Sequence, residues 1–245
     1  MRVVIAGELP LADDLLQLCT AAGHETTLYV VETLADAQVA GRLALDASQA
    51  QAVVECSNKS RAAKRRVVEL LAGAPALYVS ALACSATEAA SWAGHPSQVV
   101  GWGALPPLSA GGMVEVAAAL QSTPEAVAGA EAFWASLGLT CARVADGPGL
   151  VRARIVCALV NEAAAALAEG VASAEDIDTA MRLGTNYPRG PLAWGDLIGL
   201  DVVLGVMRGL QEEFGEDRYR PSPLLARQVQ AGHLGQKTGR GFFNY

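Results

Sequence analysis

The first 31 residues confine the fold more than any other stretch. Arg2–Ala6 carries the β-branched run Val3-Val-Ile5 and ends at Gly7, which predicts a buried strand. Leu11–Ala22 places Leu11, Leu15, Leu18 and Ala22 on one helical face, and Gly23 closes it. Thr26–Val31 is a second extended run. Strand, helix and strand in that order open a parallel α/β unit. Two further short strands are expected, at Arg42–Leu45 and Ala52–Cys56. Only Glu32–Gly41 would then join the second strand to the third, whereas a parallel crossover takes about a dozen residues or more. Either the link is compressed or the third strand returns antiparallel. Ser60–Ala72 reads as a helix with Lys64, Arg65 and Arg66 on its polar side. Leu77–Ser80 and Val99–Gly101 read as strands, Pro124–Leu137 as a helix and Thr140–Val144 as a last strand.

The pattern changes at Asp146-Gly-Pro-Gly149. Val151–Glu169 is a long amphipathic helix, with Ile155, Leu159, Ala163 and Leu167 in helical register and Gly170 as its stop. Ser173-Ala-Glu-Asp176 resembles a capping box ahead of Ile177–Leu183, and Leu197–Phe214 is a further apolar helix. The expected domains are therefore 1–146, α/β, and 147–245, all-α. Apolar residues make up 52% of the 245 and charged ones 18%, enough for a substantial buried core. A net charge of −7 argues against an electrostatic nucleic-acid partner. Cys19, Cys56, Cys84, Cys141 and Cys157 are scattered without a C-x-x-C pair, so free thiols are expected rather than a disulfide scaffold or a structural metal. Glu8, Asp13 and Asp14 interrupt any secretory h-region, and no run of ~18 uncharged apolar residues occurs. A cytoplasmic protein without membrane partners is expected.

The segment Asp146–Tyr245 resembles the C-terminal domain of the 3-hydroxyacyl-CoA dehydrogenases. The likeness is carried by Gly147-Pro-Gly149, Asn161-Glu-Ala163 and Glu169-Gly-Val-Ala-Ser-Ala-Glu-Asp-Ile-Asp178. It continues through Gly190-Pro191, Asp196-Leu-Ile-Gly-Leu-Asp201 and Gly235-Gln-Lys-Thr-Gly-Arg-Gly-Phe242, with Tyr245. It implies an all-α domain like the C-terminal domain of 6-phosphogluconate dehydrogenase, which dimerises and closes one side of an active-site cleft. The N-terminal half resembles the family more faintly, at Val53-Val-Glu55, Thr87-Glu88, Val100-Gly101 and Met113-Val-Glu-Val116. That resemblance implies a nicotinamide-binding Rossmann domain with a long coenzyme A-binding helical hairpin after the second strand. Glu32–Gly41 is too short for the hairpin, so a shortened Rossmann-like domain lacking it is expected.

The positions that would carry the chemistry depart from the family. In the G-x-G-x-x-G dinucleotide turn the matching residues are Gly7, Leu9 and Ala12. Leu9 puts a side chain where phosphate should sit, and Pro10 removes a donor. Glu8, Asp13 and Asp14 put negative charge at a helix start that would otherwise favour an anion. Val30 stands where the ribose-binding acid should end the second strand, with Glu32 the candidate substitute. The family's catalytic His falls at Gly103 and its Asn at Pro106, while Glu115, twelve positions beyond Gly103, fits the orienting Glu. The substrate-contacting Ser falls at Leu82, and the Asn of the long C-terminal helix at Ala153. His24, His95 and His233 lie elsewhere, and Cys84 near the lost Ser is a candidate nucleophile expected to be inert.

The sequence reading is therefore a family member that has lost dehydrogenase activity and needs no cofactor. It would act as a dimeric binding, regulatory or assembly protein, with an active relative as a further partner. Its candidate residues are Glu115, a remnant of the His/Glu pair, and Gly7, Ala12 and Glu32 at the cofactor turn. The alternative is an NAD-dependent oxidoreductase acting on 3-hydroxyacyl-CoA or a related hydroxy acid through a remodelled site.

Overall fold

Seven strands form a single sheet: β1 Arg2–Gly7, β2 Glu25–Val30, β3 Ala52–Cys56, β4 Leu77–Ser80, β5 Val99–Gly103, β6 Met113–Ala118 and β7 Thr140–Arg143. Their order is β2-β1-β3-β4-β5-β6-β7. Every neighbouring pair is parallel except β5 and β6. Strand alternation sorts side chains to the two faces. Val3 and Ile5 join a core with Leu15, Trp102, Phe133 and Trp134, and Val4 joins one with Leu43, Val53, Val67 and Leu77. Five helices cover those faces: α1 Leu11–Ala21, α2 Ala37–Gln49, α3 Arg61–Leu70, α4 Ala86–Trp92 and α5 Pro124–Ser136. The computed structural model describes residues 1–245, and they divide into two compact units, Met1–Val151 and Arg152–Tyr245.

The expected strand at Arg42–Leu45 is instead the middle of α2. Ala40, Leu43 and Ala47 are buried at helical spacing, and Asp36 caps the helix by accepting from the Gln38 and Val39 N–H groups. A short apolar run does not distinguish a buried strand from a helix turn. With α2 in the crossover, neither a compressed link nor an antiparallel third strand is needed: β3 runs parallel to β1. The sequence reading also passed over β6 and α4. Buried Glu115 hides the alternation of β6. The start of α4 is stabilised from far along the chain: Ser85 accepts from the Glu88 N–H, and the Asp146 carboxylate accepts from those of Ala86 and Thr87 at 2.7 and 2.8 Å. The division into units accordingly falls after Val151 rather than after Asp146, because Asp146 and Leu150 are both tied to the sheet unit.

The second unit contains α6 Arg152–Ala168, α7 Ala174–Thr185, α8 Pro191–Ile198, α9 Leu200–Phe214 and α10 Pro223–Gln230. Ser173 caps α7 through the Asp176 N–H. Helix α9 is the core of the unit, buried from Leu200 through Met207, so it does not offer a free partner face. Asp196, 1% exposed, accepts from the Phe242 and Phe243 N–H groups and from the Tyr245 hydroxyl, pinning the C-terminal turn to α8. A Cβ at Gly241 would lie 1.9 Å from the Asp196 carboxylate, which accounts physically for that glycine facing that aspartate. No helix is long and apolar enough to cross a membrane.

Candidate functional site

Open parallel sheets bind ligands outside the C-terminal ends of their strands, where neighbouring strands lead to opposite sides. Here that crevice lies beyond β1 and β3, since β1 is flanked by β2 and β3. Gly7 ends β1, and a Cβ there would sit 1.9 Å from the Cys56 Sγ, so its smallness serves the close approach of β3. The next residue, Glu8, is 6% exposed. Its carboxylate accepts from the backbone N–H groups of Asn58 at 2.8 Å and Lys59 at 3.2 Å, both in the loop after β3. Burial raises the Glu8 pKa from its ordinary value, while those bonds and the Lys59 charge act to lower it. The Lys59 ammonium in turn reaches Glu32 at 3.2 Å. Glu32 also lines a cavity of about 330 Å³ with Val31, Leu34, Ala63 and Val67.

These residues do not fit a dinucleotide pyrophosphate. Three of the first four N–H groups of α1 bond internally: Ala12 donates to the Glu8 carbonyl, and Asp13 and Asp14 donate to that of Pro10. Ala12 itself is fully buried. Leu9 is 42% exposed, and the Glu8 carboxylate spans from the turn after β1 to the loop after β3.

Below this bridge lies a second charged group. Lys64 and Glu55 are both completely buried and form an ion pair. Glu55 also accepts from the Ser57 N–H at 2.7 Å and the Ser80 N–H at 3.3 Å, and Lys64 donates to the Ser57 carbonyl at 3.2 Å. Ser80 donates to the Asn58 side chain at 2.8 Å. The sequence reading placed Lys64 on a solvated face with Arg65 and Arg66. Arg65 and Arg66 are exposed as expected, the first paired with Glu69 and the second donating to the Leu34 carbonyl, and Lys64 alone departs from that reading. The signal for Lys64 was its place among Val67, Val68 and Leu71 on the buried side of α3.

Gly103, which the resemblance aligns with the family's general base, ends β5 and lies directly across the antiparallel ladder from Glu115. Glu115 is 2% exposed. Glu115 thus stands beside Gly103, the place that the resemblance gives to a histidine. That place is full. A Cβ on Gly103 would stand 2.8 Å from Leu150 Cδ1 and 3.2 Å from Leu82 Cδ2. Leu82 is 1% and Leu150 6% exposed. Leu150 takes a left-handed backbone, φ 48°, a conformation costly for a side chain of this kind, while the Gly149 N–H donates to the Ala81 carbonyl at 2.9 Å. Its side chain packs with Ala81 and Ala117. Leu150 was not singled out in the sequence; its left-handed backbone has no local signal beyond the preceding glycines.

The three histidines and Cys84 stand elsewhere. His24 stacks on Phe133 and bonds the Ser136 hydroxyl, His95 is exposed before Pro96, and His233 bonds the Gln228 side chain. Cys84 is buried, and burial pushes its thiol up to about 12, leaving it protonated and unreactive. No cluster of His, Cys, Asp or Glu is placed to hold a metal.

A family model for the C-terminal domain of 3-hydroxyacyl-CoA dehydrogenase matches residues 149–245. A 3-hydroxybutyryl-CoA dehydrogenase of Clostridioides difficile is 39% identical over 195 residues, covering 80% of this chain and 69% of that protein. The chain belongs to the 3-hydroxyacyl-CoA dehydrogenase family. A probable 3-hydroxybutyryl-CoA dehydrogenase of Bacillus subtilis is 42% identical over 159 residues, which span 65% of this chain and 55% of that protein. The crystal structure of an (S)-3-hydroxybutyryl-CoA dehydrogenase from Ralstonia eutropha superposes with a TM-score of 0.76 at 28% identity, covering all of this chain and 99% of that one. The fold is thus the family's Rossmann sheet followed by its helical domain.

Proposed function

We propose that this chain is a 3-hydroxyacyl-CoA dehydrogenase-family protein that no longer transfers hydride by the family's route and acts as a dimeric binding, regulatory or assembly protein. The observation that carries this reading is the packing of Leu82 and Leu150 against Gly103, which leaves no room for an imidazole beside Glu115. The family oxidises an alcohol by passing hydride to NAD while a histidine takes the hydroxyl proton, and a positioned base is worth ~10²–10⁴-fold. Exposed Ile155 on α6 supports a partner surface in the helical unit, a second copy or an active relative being the occupants proposed.

A second reading, an NAD-dependent oxidoreductase acting on 3-hydroxyacyl-CoA or a related small hydroxy acid, is favoured by the names of the relatives and by the cavity at Glu32. Calorimetric titration separates the two. We expect NADH, with or without acetoacetyl-CoA, to give no heat beyond dilution with folded protein. Micromolar NADH binding would move the weight to the second reading.

A further inference from the structure

We infer that the Glu8 carboxylate is a built-in anion that stands in for phosphate at the crevice beyond β1 and β3 and thereby selects against phosphate-bearing ligands there. The inference rests on the proposed loss of dinucleotide chemistry and names the residue that enforces it at this crevice. Anion sites at strand ends are made of backbone N–H groups pointing at one place. Two such groups, those of Asn58 and Lys59, converge on a single Glu8 oxygen. The side chain that fills the place is 94% buried, taking its 6% exposure from the whole, so it is a fixed part of the crevice rather than a passing contact.

Its position also ties three segments together. Glu8 belongs to the turn after β1, Asn58 and Lys59 to the loop after β3, and the Lys59 ammonium joins Glu32, just past β2. A phosphate would have to displace this carboxylate, or else sit beside a like charge with its donors already used. The Lys59 ammonium, 3.2 Å from Glu32, also acts electrostatically on the Glu8 carboxylate, so the crevice already holds both an anion and its counter-charge. The arrangement gives a crevice that keeps the geometry of an anion site while carrying its own anion.

The test is binding of inorganic pyrophosphate, a probe that involves neither NADH nor an acyl-CoA. Glu8→Ala should bind pyrophosphate at least about tenfold more tightly than the native chain, a difference of about 1.4 kcal/mol. Amide exchange at Asn58 and Lys59 should be fast in the variant and slow again when pyrophosphate is added. Should the Ala variant not fold, Glu8→Gln keeps the side-chain shape, removes the charge, and should also bind pyrophosphate more tightly than the native chain. Equal binding by native and variant chains, or unprotected Asn58 and Lys59 amides in the native protein, would overturn the inference. Saturable NADH binding by the native chain would overturn both the inference and the proposed function, whereas equal pyrophosphate binding by native and variant chains without any NADH binding would overturn the inference alone.

Discussion

Replacing Lys64 with Met is expected to destabilise the sheet unit by about 3–5 kcal/mol. The pair it breaks is fully buried on both sides, and Lys64 donates both to Glu55 and to the Ser57 carbonyl. Removing the ammonium leaves the Glu55 carboxylate without its counter-charge in the core, at the place where β3, β4 and α3 meet. That cost is larger than the net worth of the intact pair, so the double variant Glu55→Gln/Lys64→Met should lose much less than the sum of the two single changes. Burial alone would lower the Lys64 pKa, but the Glu55 charge and hydrogen bond reverse this, and the folded value lies above the ordinary one. The stability it contributes is therefore complete below the unfolded-state pKa and lost as pH rises through the raised folded value. Urea unfolding followed through buried Trp102 and Trp134 reads both effects. A single variant within about 1 kcal/mol of the native chain would contradict this account of the pair.

The second large effect concerns Gly103. Restoring the family's imidazole alone, Gly103→His, should destabilise the unit by about 3 kcal/mol, since the first added carbon already presses on Leu150 and Leu82 and the ring adds five more atoms. Leu82→Ser and Leu150→Ala each open part of that space and each cost stability on their own, as large-to-small core changes do, by about 2–5 kcal/mol for the alanine. The informative quantity is the coupling. In the Leu82→Ser/Leu150→Ala background, Gly103→His should cost at least about 1 kcal/mol less than in the native chain, because the atoms it meets have gone. An unchanged cost would show that the two leucines do not occupy the place of the ring. Thermal and urea unfolding of the four chains give the cycle.

The local signals that were legible are those in which a sequence pattern and a backbone requirement coincide. Val3-Val-Ile5 before Gly7, the Leu11–Leu18 stripe before Gly23, and Ser173 ahead of α7 each specify their element without help from distant residues. The elements passed over depend on partners far along the chain. Helix α4 is capped from Asp146, 60 residues away from Ala86. Leu43 reads equally as strand or helix until its partners in the core are known. At the site, the departures expected at Gly103, Leu82 and Leu9 rest on the family resemblance, which assigns a chemistry to each position. What fills the space there could not be read from that resemblance. Leu150 fills the space beside Gly103 through a left-handed backbone, and the Glu8 bridge joins residues 50 positions apart. Lys64 looked solvated because its neighbours in sequence are arginines, although its place in the helix faces Glu55.

The central claim is that the family scaffold persists here without the family's hydride transfer. It is tested most directly by following NADH absorbance while folded protein is mixed with acetoacetyl-CoA. The account predicts that NADH disappears no faster than in the same mixture without protein, across the neutral pH range. Saturable, protein-dependent NADH oxidation at ~1 s⁻¹ or more, a turnover ordinary for an enzyme, would contradict it.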